Sequence, residues 1–157
     1  MGSKSDLPVI EKAVSVLKAF DIPYEVHVYS AHRTPEQSKE FAQTARENGF
    51  GVIIAAAGMA AHLAGAIAAN TTLPVIGIPC GSQNLGAIDA LLSTVQMPSG
   101  IPVATVAVNG GANAALLSAQ ILAVEDSGLA EKLDAKRKSD LENVLQNDAE
   151  ISSQFNV

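Results

Sequence analysis

Three short apolar runs constrain the fold more than any other feature: Val52-Ile53-Ile54-Ala55, Pro74-Val75-Ile76-Gly77-Ile78 and Val103-Ala104-Thr105-Val106-Ala107-Val108. Each passes into a stretch rich in Gly or Ala. Strands covered on both faces read this way, because helices lie above and below them and neither side is wet. Segments of helical character around Ala60 to Asn70, Gly86 to Ser93 and Ala112 to Val124 supply the crossovers that parallel strands need. The expected fold class is α/β, a parallel sheet within a three-layer α/β/α domain.

The N-terminal part adds a helix and a fourth strand. Leu7, Ile10, Ala13, Val14, Leu17 and Phe20 form the stripe of an amphipathic helix, with Ser5 or Asp6 as its cap. Asp21-Ile22-Pro23 ends it, and Tyr24, Val26 and Val28 then alternate with Glu25 and His27 as in a strand. Thr34 and Pro35 read as N-cap and first residue of a second helix stopping at Asn48-Gly49. Among doubly wound sheets the flavodoxin-like arrangement fits this succession best.

Two regions are expected: a flavodoxin-like catalytic domain over residues 1–128, and a C-terminal helical arm of the same domain over residues 129–157. Leu129, Leu133, Leu141, Val144 and Leu145 share one side of that charged helix, which no strand follows. It is expected to pack on a neighbouring subunit, the alternative being a helix folded back on its own domain.

Composition excludes several classes. Trp is absent and aromatics make up 4%, so the core of a 157-residue chain must be built from Ala, Val, Ile and Leu. The net charge is −6, and the basic residues are dispersed except for Lys136-Arg137-Lys138, which reads as a solvated helix face. No nucleic-acid partner is expected. Cys80 is the single cysteine and no Cys/His set has metal-ligand spacing, so neither a disulfide nor a metal is expected. With no apolar leader and no run near the ~20 residues of a membrane span, a soluble cytoplasmic protein is expected.

In an open parallel sheet, ligands bind beyond the carboxyl ends of the strands. Gly2-Ser3-Lys4-Ser5-Asp6 precedes a helix, where free N–H groups and the helix dipole favour a phosphate; an ordinary cap reads the same way. Ser30-Ala31-His32-Arg33-Thr34-Pro35 sets an imidazole beside a guanidinium on a strand-to-helix loop, pairing a proton carrier with a phosphate grip, or simply placing a surface His at a helix start. Ala55-Ala56-Ala57-Gly58-Met59-Ala60-Ala61-His62-Leu63 admits a ligand close to the backbone, or else close helix–sheet packing. His62 is read as satisfying a local carbonyl, with lining of the site as the alternative. Cys80 is read as a small core residue.

Together these motifs, with Gln96-Met97-Pro98-Ser99-Gly100-Ile101-Pro102-Val103 and Asn113-Ala114-Ala115-Leu116-Leu117, resemble the N5-carboxyaminoimidazole ribonucleotide mutase family, class I of the phosphoribosylaminoimidazole carboxylase catalytic subunits. The resemblance runs in order from Gly2 to about Glu125. Arg33 marks the class, since the related enzymes that take free carbon dioxide carry Lys there. The resemblance implies a cofactor-free isomerase of purine (IMP) biosynthesis, a homo-octamer with active sites at subunit contacts, acting on a small ribonucleotide. His32 matches the catalytic histidine. Ser3, Ser5, Asp6, Ser30, Arg33, Ala57, Gly58, Met59 and His62 are the implied substrate-binding residues, with Asp6 on the ribose hydroxyls and Ser30 and Arg33 at the phosphate. Met59 and Ala64 stand where the family usually has Gly and Pro, and Met59 is expected to crowd the pocket.

In that family a hydrophobic strand immediately precedes Met-Gly-Ser. Its loss would leave a central gap with unpaired backbone groups, so an abbreviated start is expected here. Two other functions remain as alternatives: direct carboxylation of aminoimidazole ribonucleotide by free carbon dioxide, and a non-catalytic flavin- or nucleotide-binding module.

Overall fold

The computed structural model describes residues 1–81 and 85–156. The first two apolar runs form parallel strands β1 (Ile53–Gly58) and β2 (Val75–Cys80), in register from Ile53 opposite Val75 to Gly58 opposite Cys80. β3 (Ala104–Thr105) pairs in parallel with the other edge of β2, giving the order β1-β2-β3. The third run pairs regularly over only these two residues, yet Val106 N–H still donates to the Gly77 carbonyl (3.1 Å) and Asn109 N–H to Pro79 (2.9 Å).

Strand alternation divides the core into two layers. Ile53, Ala55 and Ala57 of β1, with Val75 of β2, pack toward α2 (Pro35–Thr44) and α3 (Leu63–Ala68). Ala56 of β1 and Ile76, Ile78 and Cys80 of β2 face the other way, onto α1 (Leu7–Ala19) and α5 (Gly111–Leu122). The shorter α4 (Ile88–Val95) packs on β2. Helices therefore cover both faces of a parallel sheet, the three-layer flavodoxin-like arrangement expected from the apolar runs.

Small residues set the spacing of these layers. Ala13 of α1 and Ala114 and Ala115 of α5 are buried. Gly111 lies so close to α1 that an added Cβ would collide with the Val9 carbonyl. A side chain there would have to push the two helices apart.

The fourth strand is not formed among the described residues. Tyr24–Tyr29 is extended and lies beside Met1: the Met1 ammonium donates to the His27 carbonyl (2.9 Å), and Tyr29 N–H donates to Met1 (3.0 Å). Gly2 N–H donates across to Ala56 of β1 (3.0 Å). Met1-Gly2 thus bridges two segments that have no regular ladder between them. Below this bridge lies an apolar cavity of about 460 Å³, lined by Ile10, Val14, Leu17, Val26, Ile54 and Leu122 among others. His27 bonds to Glu25 (2.9 Å) and its ring stacks on Tyr29 and tilts against Phe41, while Val26 and Val28, the apolar side of the expected strand, are the exposed residues.

Helix boundaries depart from the sequence reading for local reasons. Asp6 is the N-cap of α1, but its carboxylate turns back to Ser3 instead of capping the helix. Thr34 precedes α2 without a side-chain cap, because its hydroxyl donates to the Ser30 carbonyl and accepts from Ser30 N–H. α2 stops at Thr44, before turns that end at Gly49 in the left-handed region (φ 84°).

The final helix, α6 (Ser127–Phe155), is capped by the Asp126 carboxylate accepting from Leu129 N–H (3.0 Å). Its first turns fold back on the domain: Leu129 is buried with Phe20 and Ala119, and Lys132 reaches Asp21 (2.8 Å). Leu141, Val144, Leu145, Ile151 and Phe155 are exposed farther along. Among the described residues no helix is long and apolar enough to cross a membrane.

Gly111→Ala is expected to lower stability by about 1–3 kcal/mol through overpacking of the α1–α5 seam. Thermal unfolding checks this at roughly 2–4 °C per kcal/mol for a chain of this size; an unchanged Tm would show that the seam is not tightly packed.

Candidate active site

The carboxyl ends of a parallel sheet collect loops that need not satisfy one another, which is why ligands bind there. Here three such loops meet at Gly2. Its N–H is held by Ala56 of β1, and its carbonyl accepts from Nη2 of Arg33 (3.2 Å). One residue therefore ties the turn at residues 2–6 both to the end of β1 and to the loop that carries His32.

The first loop is a 3₁₀ turn over Lys4–Asp6 with Ser3 as its N-cap. Ser3 N–H donates to the Asp6 carboxylate (3.1 Å), Ser5 N–H donates to Ser3 Oγ (3.3 Å), and the Ser5 hydroxyl lies 3.0 Å from Ser3 Oγ. These contacts form a reciprocal capping box, which also collects hydroxyls and N–H groups at the start of α1. Asp6 is only 8% exposed. Burial raises its carboxyl above the usual range, against the Ser3 N–H bond, the Met1 ammonium and the Ser5 hydroxyl, which pull it down.

The second loop is closed by its own hydroxyls. Ser30 Oγ accepts from Arg33 N–H (3.2 Å), while Thr34 N–H donates to the Ser30 carbonyl (2.8 Å). With both ends fixed, His32 and Arg33 project exposed from its apex. Among the described residues His32 has no hydrogen-bonding partner.

The third loop follows β1. Ala57 is buried in the core, Gly58 closes a turn by accepting from Ala61 N–H (3.3 Å), and Met59 is left-handed (φ 50°) and 60% exposed. A left-handed Met is uncommon and costs conformational energy that glycine avoids. The His62 Nδ1 engages the Ser93 carbonyl and its ring lies over Gly65, the local satisfaction read from sequence. Its ring is thereby committed to α3 and α4.

Cys80 ends β2 in the core, and its thiol is pushed up to about 12, first by burial and then by the Asp6 charge. It packs as a small core residue, as read. Among the described residues no group of three His, Cys, Asp or Glu side chains is placed to hold a metal ion.

Sequence reasoning missed Asn109. Its Oδ1 accepts from Gly81 N–H (2.8 Å), joining the end of β2 to the turn after β3. The signal was the Asn109-Gly110 pair closing the third apolar run, because Asn before Gly favours a left-handed turn.

A profile of the AIR carboxylase family matches residues 1–143. The chain belongs to that family. It is 55% identical over 143 residues to the N5-carboxyaminoimidazole ribonucleotide mutase of Pyrococcus horikoshii, covering 88% of this chain and 81% of that protein. The Bacillus subtilis protein of the same name is 51% identical over 153 residues, covering 96% and 94%. Among solved structures, Treponema denticola PurE superposes with a TM-score of 0.85 at 29% identity, covering 100% of this chain and 96% of that one. That superposition takes in α6, beyond the stretch matched by the family profile.

The raised Asp6 carboxyl makes a signed prediction. An acid that holds its proton more tightly when folded favours the native state in its protonated form. Stability contributed by Asp6 therefore falls as pH rises from its unfolded value of 3.8 through the raised folded value. Asp6→Asn should remove that slope while still accepting from Ser3 N–H. Urea unfolding between about pH 4 and about pH 7 measures it; identical slopes in both proteins would reject the assignment.

Proposed function

We propose that the chain is a class I mutase converting N5-carboxyaminoimidazole ribonucleotide into 4-carboxy-5-aminoimidazole ribonucleotide in purine biosynthesis. The observation that carries this reading is the meeting of loops at Gly2, where Arg33 bonds to the start of the Ser3–Asp6 turn and carries with it the neighbouring His32, unpartnered among the described residues. Relatives bearing the mutase name at 51–58% identity support it.

The chemistry asks little beyond placement and proton transfer. Arg33, with hydroxyls of Ser3, Ser5 and Ser30, grips the substrate phosphate, and Asp6 accepts from the ribose hydroxyls. The carbamate C–N bond breaks with its electron pair left on nitrogen, which takes a proton from the His32 imidazolium. Carbon dioxide is then retained against the small residues of the loop that leaves β1, from Gly58 to Ala61, away from water. C4 of the ring attacks it, forming the new C–C bond, and gives its proton to His32. The imidazolium is regenerated, and no atom or charge is gained overall. Holding the ring and the carbon dioxide together makes the second step effectively intramolecular.

Met59 borders this surface, and His62 lies at its far end. The exposed apolar stripe of α6 from Leu141 to Phe155 supports packing of this arm on another copy of the chain. We read the assembly as the octamer of the family, in the cytoplasm, with residues 1–128 as catalytic domain and 129–157 as its arm.

His32→Asn is expected to lower kcat by about 10²–10⁴-fold while leaving substrate affinity nearly unchanged. Arg33→Ala should weaken binding by roughly ten- to a hundredfold, the loss of charge-assisted hydrogen bonds. Both are read by steady-state formation of the C4 acid and by calorimetric titration. Normal turnover by His32→Asn would sink the mechanism, and turnover that requires added bicarbonate would favour the free carbon dioxide carboxylase.

A further inference from the structure

We propose that Asn109 is a positioning residue for this site, extending the β2–β3 ladder by one side-chain hydrogen bond and so fixing Gly81 beside the substrate loops. The proposal rests on the mutase reading above.

In a parallel ladder, one residue donates its N–H to a carbonyl of the neighbouring strand and accepts, through its own carbonyl, from the N–H two residues farther along. Asn109 makes the first of these bonds, from its N–H to the Pro79 carbonyl (2.9 Å). Its backbone is left-handed (φ 58°), and its carbonyl is turned away to accept from Gly111 N–H (2.9 Å). The second ladder bond would therefore be lost. Oδ1 replaces it, accepting from Gly81 N–H at 2.8 Å. The side chain stands in for a backbone carbonyl at the point where the chain leaves the sheet to enter α5.

The position of Gly81 matters because of what lies beside it. Gly58 pairs with Cys80, so Gly81 is the next residue outward, adjacent to the Gly58-Met59 turn. A Cβ built on Gly58 would approach the Cys80 carbonyl to 3.4 Å, so the two strand ends are in close contact. Displacing Gly81 carries with it the neighbouring Cys80 carbonyl, against which Gly58 rests. A Cβ added at Gly81 would lie 3.0 Å from Asn109 Nδ2, so this glycine and the amide are closely apposed.

Two residue types suit this position for separable reasons. Glycine adopts the left-handed backbone but has no acceptor; aspartate keeps a side-chain oxygen and, like asparagine, tolerates this conformation. The test compares Asn109→Gly and Asn109→Asp with the natural chain, measuring kcat, KM, Tm and amide hydrogen exchange at Gly81. Asn109→Gly is expected to keep a near-normal Tm, to lose exchange protection at Gly81, and to lower kcat about ten- to a hundredfold with KM little changed. Asn109→Asp should restore both protection and kcat. Wild-type kcat in Asn109→Gly, or equal impairment of Asn109→Asp, would overturn the proposal. A natural chain without mutase activity would reject the mutase reading and this one with it. An active natural chain with an unimpaired glycine variant would reject the role of Asn109 alone.

Discussion

The hydrogen bond from Gly2 N–H to the Ala56 carbonyl (3.0 Å) is the contact on which the candidate site depends. It joins the start of the chain to β1, while the extended segment at residues 24–29 lies on the other side of Met1-Gly2. The Ser3–Asp6 turn leaves from the bridge itself. Arg33 comes over from the outer loop to the Gly2 carbonyl, so the loop bearing His32 is anchored through backbone rather than through another titratable side chain. That anchor takes one terminal nitrogen of Arg33 and no bond from His32.

Where burial decides structure, the sequence was legible. The first two apolar runs are strands because a backbone flanked by helices on both faces must pair its polar groups within the sheet. Their alternating small residues show which face meets which helices. The Tyr24–Val28 segment also has strand character, but a strand exists only by pairing, and among the described residues its backbone partner is Met1, above a cavity. Periodicity describes one segment and says nothing of the partner. The same distinction explains β3, whose apolar run is longer than its regular pairing because the chain turns through Asn109 while still bonding to β2.

Side-chain hydroxyls and carboxylates were harder to read, since short polar residues before a helix can cap it or close the loop in front of it. Both Asp6 and Thr34 precede helices, and both turn away: Asp6 to Ser3 N–H and Thr34 to Ser30. The result is two rigid loops rather than two ideal helix starts. Met59 shows a related exchange of stability for shape. A left-handed backbone there closes the turn after β1, and its carbonyl accepts from the Ser93 hydroxyl (3.4 Å), which helps to hold the conformation against its strain.

The chain has three histidines, and their surroundings distinguish them more sharply than their sequence neighbours do. His27 is bound to Glu25 and stacked on Tyr29, while His62 is engaged by the Ser93 carbonyl over Gly65. A ring held in this way has one nitrogen committed to a fixed partner, and moving a proton through it would cost that hydrogen bond. A group that must first give a proton and then take one from a different atom is better left unengaged, on a backbone that does not move. His32 meets both conditions: its ring has no partner among the described residues, and the loop beneath it is closed by Ser30 and Thr34 and tied by Arg33 to Gly2. The freedom of the imidazole and the rigidity of its support arise from the same short motif, because the residues around His32 take up the hydrogen bonds that would otherwise fall to it.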